Sequence, residues 1–209
     1  MKKFLIVNSI LILILTVIII FWLIYMNCLI PPEGPELRRT TVVELAEVEI
    51  PNWIDVQYIE LGNPSRSGRK LFAVNDIVIH YVENPMSTAQ NNHDYFAGWE
   101  SSVCSHFIVG LDGEIIMCLP LDEQSIASNQ RNIDTISIEV CHPDESGKFS
   151  DVTYESLLNL TAWLLNVCRL DTSNVIRHHD VTGKDCPRYF VQHEDAWWQF
   201  LEDLRLMRQ

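Results

Sequence analysis

The chain has 209 residues, 47% of them hydrophobic, and a formal net charge of −13; the first thirty residues hold two lysines and no acid, which leaves residues 31–209 at −15. So acidic a surface is a poor electrostatic partner for nucleic acid or anionic lipid. Six scattered cysteines, Cys28, Cys104, Cys118, Cys141, Cys168 and Cys186, form no recognisable small disulfide framework.

The chain opens on MKKFLIVNSILILILTVIIIFWLIYMNC, in which residues 4–26 are interrupted only by Asn8, Ser9 and Thr16. At about 1.5 Å per residue this run reaches roughly 35 Å, enough to cross a bilayer core with some tilt. Lys2 and Lys3 precede it and the next basic residues are Arg38 and Arg39, so the positive-inside rule puts the N-terminus in the cytoplasm and the remainder outside. A cleaved signal peptide is the rival reading, but the run is longer than a signal core and no small-residue cleavage site follows it. The expectation is a single-pass cell-membrane protein with a cytoplasmic tip and transmembrane helix over residues 1–30. A stalk is expected over 31–50, where PPEGPELRRTTVVELAEVEIP mixes prolines, charges and threonines. Residues 51–209 are then an extracellular domain large enough for one core.

Within that domain DIVIHYV (76–82) is a β-branched apolar run, the pattern of a buried strand. STAQNNHDYFAGW predicts a short helix with Ser87 as its N-cap. HFIVGLDGEIIMCLPL places two apolar runs around LDG and predicts a hairpin. ISIEVC (136–141) is another strand, and NVIR (174–177) a short one. VTYESLLNLTAWLLNVCRL puts Leu157, Leu160, Leu164, Val167 and Cys168 on one helical face, with Thr153 as the expected cap. HEDAWWQFLEDLRLM does the same with Trp197, Phe200, Leu201 and Leu204. Strands alternating with helices give an α/β fold, a single mixed sheet flanked by helices.

Between the last strand and the last helix lies RHHDVTGKDCP (177–187), whose glycine and proline argue against a regular helix. Its histidines and cysteine, with His80 at the end of an early strand, are candidate metal ligands: His80, one of His178 and His179, and Cys186. Two imidazoles and a thiolate around zinc leave a fourth position for water, the arrangement of a hydrolytic site. Spacing alone does not join these residues, and taken singly His80 reads as a satisfied core histidine and Cys186 as an unpaired thiol. Cys118, Cys141 and Cys168 sit in apolar surroundings, where thiols behave as small hydrophobes.

DIVIHYVENP, YFAGWESSVCSHFIVGLDGEII, DTISIEV and IRHHDVTGKDCP, in this order, resemble the zinc-dependent N-acetylmuramoyl-L-alanine amidases. This is the amidase-2 group that includes the peptidoglycan recognition proteins, and in particular its autolysin and prophage type from Gram-positive bacteria. The most specific piece is His-x(7)-Cys-Pro with a lysine two before the cysteine. The resemblance implies a zinc ion at one end of a mixed sheet, held by His80, His178 and Cys186, with His179 as a neighbour. It implies cleavage of the amide between N-acetylmuramic acid and L-alanine of peptidoglycan, with Glu139 moving the proton and Lys184 facing the developing oxyanion. Alternation sends Ser137, Glu139 and Cys141 to the face opposite Ile136, Ile138 and Val140, a pattern that a solvent-facing carboxylate fits equally.

Two departures stand out. Ser105 occupies a position where one branch of the family carries tyrosine, and Ser125, Ile126, Ala127 and Ser128 stand where relatives often have Trp-His-Ala-Gly. His106 reads as structural. The expected function is a membrane-anchored peptidoglycan hydrolase, with a non-catalytic muropeptide-binding module of the same fold as the alternative. The complete ligand set favours the enzyme, because relatives that only bind commonly lack the cysteine.

Overall fold

The computed structural model describes residues 39–208 and, before them, Thr16, Val17, Ile19 and Trp22. The span expected over 4–26 therefore lies almost wholly outside the described residues, among which no helix is long and apolar enough to cross a membrane. The chain divides into Met1–Arg38 and Arg39–Gln209.

Six strands, β1 (Asp55–Val56), β2 (Asp76–Ile79), β3 (Phe107–Val109), β4 (Ile115–Met117), β5 (Thr135–Val140) and β6 (Val175–Arg177), form one sheet in the order β1-β4-β3-β5-β2-β6. Every neighbouring pair is parallel except the β3–β4 hairpin, so the sheet is mixed as expected. The hairpin turns where Gly113 adopts φ 83°, a left-handed conformation that suits glycine. Central strands covered on both faces account for the near-continuous apolar runs of the sequence.

The helices are α1 (Val42–Ala46), α2 (Ala89–Ala97), α3 (Asp151–Cys168), α4 (His178–Thr182), α5 (Arg188–Gln192) and α6 (Glu194–Met207). On one face of the sheet Ile77, Ile79, Phe107, Ile136, Ile138 and Val140 pack with Leu157, Leu160 and Leu164 of α3 and Trp197, Phe200 and Leu204 of α6. On the other, Ile108, Ile116 and Cys141 pack with Ala89 and Phe96 of α2. Each side chain of this size taken fully out of water stabilises by roughly 1.5–3 kcal/mol, so both faces are committed and the register is fixed. The five described cysteines, Cys104, Cys118, Cys141, Cys168 and Cys186, are free and buried.

Three sequence expectations are corrected. The cap of α2 is Thr88, whose hydroxyl accepts the Asn91 N–H at 3.1 Å while Asn91 Oδ1 accepts the Thr88 N–H at 3.2 Å; Ser87 instead donates to Asn84 O and accepts from Asn92 Nδ2. The cap of α3 is Ser150, accepting the Thr153 N–H at 3.2 Å; Thr153 is buried inside the first turn, and its hydroxyl donates to Gly110 O at 3.0 Å, fastening α3 to the hairpin. The stretch read as stalk contributes to the core. Thr41 and Glu44 form a capping box, Leu45 is only 2% exposed within the main cluster, and Thr40 donates through N and Oγ1 to Cys168 O and Val167 O. The compact unit thus begins at Arg39 and not at residue 51, because Val42, Leu45, Val48 and Ile50 form an apolar set amid the charges.

Candidate functional site

β2 stops at Ile79, and His80 follows with its N–H donated to Ile138 O at 2.8 Å, which extends the ladder by one residue. Because Ile79 is paired with Ile138, the next residue on each strand points to the same face, and His80 Nδ1 lies 3.9 Å from Glu139 Oε1. β6 flanks β2 on its other side with Arg177 opposite Ile79. The residue after Arg177 is His178, and its ring centroid is 4.5 Å from that of His80. Parallel strands ending together thus place three functional groups at the C-terminal ends of β2, β5 and β6.

The segment expected to be non-helical forms the five-residue helix α4. Its glycine acts after the helix: Gly183, at φ 77°, caps it with N–H donated to His179 O at 2.7 Å. The chain then folds back so that His179 N–H donates to Cys186 O at 2.8 Å. Cys186 Sγ arrives 4.0 Å from His80 Nδ1. Donor atoms of His80, His178 and Cys186 all lie within 4.8 Å of one another, and all three residues are buried.

This trio fits a zinc ion. Burial holds the His80 imidazole well below its usual range, with His178 and Lys184 adding to the effect, and burial also lowers His178, again helped by Lys184; both rings are therefore neutral, as ligands must be. Burial, with Glu139 nearby, pushes the Cys186 thiol far up, a cost that a bound cation removes by holding the thiolate. One nitrogen of each ring already has a partner: His80 Nε2 lies 3.2 Å from Ser128 Oγ, and His178 Nε2 donates to Asn129 Oδ1 at 3.3 Å. Two nitrogens and one sulfur are the donor types zinc prefers.

His80, Glu139, His178, Lys184 and Cys186 line one cavity of about 250 Å³, walled further by Phe96, Val103 and Ile126. Burial raises the Glu139 carboxyl to about 8, against the pull of Lys184, and Glu139 Oε2 is buried with no hydrogen-bond partner. Lys184 stands half-exposed at the wall, its Nζ 2.9 Å from Glu83 Oε2, and that carboxylate raises its pKa. A larger hollow of about 320 Å³ lies between α3, α5 and α6, lined by Lys148, Phe149, Tyr154, Tyr189 and Asp203 among others, and carries no group of histidines and cysteines among the described residues.

The remaining candidates sit elsewhere. His179 Nδ1 donates to Lys184 O at 2.9 Å and pins the loop from outside the trio. His106 is fully buried, Nε2 donating to Glu123 O at 2.8 Å and Nδ1 accepting the Ser137 N–H at 3.1 Å, a structural arrangement. Ser105 spends its hydroxyl on Phe107 O. Ser125 accepts from Ser137 Oγ at 2.9 Å, whereas Ile126 and Ala127 do line the cavity. Sequence spacing did not point to Glu83, Ser128 or Asn129 as contacts of the site. Short polar residues in a turn carry no mark of what they face, and only the departure from Trp-His-Ala-Gly drew attention to Ser128.

Known proteins are similar to this chain in sequence and fold. The family profile described as N-acetylmuramoyl-L-alanine amidase, Amidase_2, matches residues 70–189, an interval that contains all five of these cavity residues. N-acetylmuramoyl-L-alanine amidase BlyA of Bacillus subtilis (strain 168) is 29% identical over 164 residues, covering 68% of this chain and 44% of that protein. N-acetylmuramoyl-L-alanine amidase CwlL of Bacillus licheniformis is 28% identical over 152 residues, covering 64% of this chain and 41% of that protein. The chain thus spans less than half the length of these curated relatives. Among solved structures, a mutant endolysin from Bacillus subtilis superimposes with a TM-score of 0.64 at 25% identity, covering 72% of this chain and 97% of the other. The catalytic domain of XlyA gives 0.63 at 24% identity, over 72% of this chain and 98% of that domain. With the profile spanning more than half of its length, the chain belongs to the Amidase_2 family of N-acetylmuramoyl-L-alanine amidases.

Proposed function

We propose that this chain is a zinc-dependent peptidoglycan hydrolase that cleaves the amide between N-acetylmuramic acid and the L-alanine of the stem peptide. The observation that carries the reading is the convergence of His80, His178 and Cys186 within 4.8 Å, beside the buried carboxyl of Glu139 in one cavity. A zinc ion held by these three would supply a Lewis acid and a water acidified toward neutrality. Glu139 takes the proton of the attacking water and returns it to the departing amide nitrogen. Burial disfavours its charged form, whereas a cation held by the trio would favour the carboxylate that accepts the proton, and Oε2 has no competing partner. Lys184 presents its ammonium at the cavity wall to the oxygen on which negative charge develops, and Glu83 holds it there in the meantime. Phe96, Val103 and Ile126 restrict water around the reacting bond.

We also propose that the enzyme works outside the cell, held to its membrane by the apolar run at 4–26 with Lys2 and Lys3 on the cytoplasmic side. The acidity of residues 31–209 supports a tether over adhesion to an anionic wall. The test of the enzyme reading is digestion of purified sacculi by the full chain. Solubilisation that stops with chelator and returns with zinc supports it; sacculi that stay intact while retaining the protein favour the binding module.

A further inference from the structure

We propose that Ser128 and Asn129, consecutive in the turn that leads into β5, form one brace that orients both imidazoles of the metal centre by engaging their Nε2 atoms. The inference rests on the metal reading above and concerns how this chain presents the ligands. His80 Nε2 is 3.2 Å from Ser128 Oγ, and His178 Nε2 is 3.3 Å from Asn129 Oδ1. The other nitrogen of His80, Nδ1, is the one that faces Cys186 Sγ. An imidazole that gives Nδ1 to an ion carries its proton on Nε2, and an oxygen beside Nε2 can accept that proton and fix the ring plane. An amide oxygen accepts and cannot donate, so Asn129 admits only the Nε2–H form of His178.

The brace is itself held. Asn132 Oδ1 accepts the backbone N–H of Ala127 at 3.1 Å and of Ser128 at 2.6 Å. Arg131, two residues on from Asn129, pairs with Asp134 at 2.8 Å and with Asp76 at the start of β2. Ser128 is fully buried. Asn129 sits at φ 52°, in the left-handed region that asparagine tolerates better than most residues. A rigid turn between the ligand-bearing elements therefore touches one ring from β2 and one from α4 with adjacent side chains. Both residues are positioning residues: they act on the ion through the imidazoles.

The experiment is zinc titration of the purified full chain against a chromophoric chelator, with nitrogen-15 imidazole spectra of the zinc-loaded protein. Ser128→Ala and Asn129→Gly should each weaken zinc binding by about 10- to 100-fold. Glycine keeps the left-handed backbone, so this second loss reports the side-chain oxygen and not strain. Asn129→Asp retains an oxygen on Nε2 and should restore wild-type affinity, which a merely structural role would not require. The spectra should show Nε2 protonated in both rings. Unchanged affinity in Ser128→Ala and Asn129→Gly, or an Nε2-bound ion in the wild type, overturns the brace while leaving the zinc site standing. A wild-type chain that binds no zinc overturns the metal reading and the brace together.

Discussion

His178 and His179 are separated by one helical step of about 100°, since a helix carries 3.6 residues per turn, and α4 begins at His178. One imidazole therefore turns toward His80 and Cys186, and the other toward the carbonyl of Lys184. His178→Ala should reduce zinc affinity by about 100-fold or more, beyond the usual effect of an outer partner, whereas His179→Ala should stay within about threefold. Equal losses in chelator competition would contradict this division. Glu139→Gln should lower kcat by about 10²- to 10⁴-fold, the range of a general base, with zinc affinity kept; a parallel loss of zinc would make Glu139 a ligand instead. The sequence told these residues apart unevenly. The His-x(7)-Cys spacing and the family resemblance singled out His178, but alternation along β5 sent Glu139 to a face without saying whether water or a cavity lay there. That answer depends on the parallel register of β5 with β2, a pairing between segments far apart in the chain.

At the scale of elements, the loop between β1 and β2 is locked by Arg66. Its Nε and Nη2 meet Glu123 Oε2 and Oε1 at 2.8 and 3.0 Å, its Nη1 donates to Ile59 O at 2.6 Å, and both charged side chains are largely buried. Removing one partner strands the other charge away from water, so Arg66→Ala should cost about 3 kcal/mol in urea denaturation. Arg205→Ala, which breaks an exposed pair with Glu202, should leave stability unmoved within error; similar losses in both would refute the assignment. The types of the longer elements were legible from periodicity: strand, hairpin and both long amphipathic helices fall where the pattern puts them, whereas the five-residue helices α1 and α4 did not show. Their ends were not, because Ser87 and Thr88, or Ser150 and Thr153, are equally good cap chemistry, and tertiary contacts choose between them. The segment 40–50 misled for a different reason: Val42, Leu45, Val48 and Ile50 are interspersed with charges, and their burial needs the main core cluster, to which Thr40 fastens the segment at the end of α3.

For the molecule as a whole, His106 sits between β3 and β5 with both ring nitrogens committed, one donating to Glu123 O and one accepting from Ser137 N–H. Burial lowers it from 6.5 to about 4. The unfolded chain thus takes a proton before the folded one does, and the stability it contributes, present above pH 6.5, is lost as pH falls from about 6.5 toward 4. That loss is on the order of 3 kcal/mol. Denaturation midpoints at pH 7, 5.5 and 4.5 should fall steadily, and a flat profile would contradict the buried neutral ring. The α/β class and the mixed sheet were legible from the alternation of patterns, but the strand order was not, since no local signal says that β2 lies between β5 and β6. That order brings His80, Glu139 and His178 together, and so carries the functional reading. The most direct test is mass spectrometry of the new chemical ends formed when the zinc-loaded full chain digests purified sacculi. The account predicts stem peptides with a free L-alanine amino terminus, absent with chelator and from Cys186→Ala; new reducing sugar ends, cut cross-bridges, or release that survives chelation would contradict it.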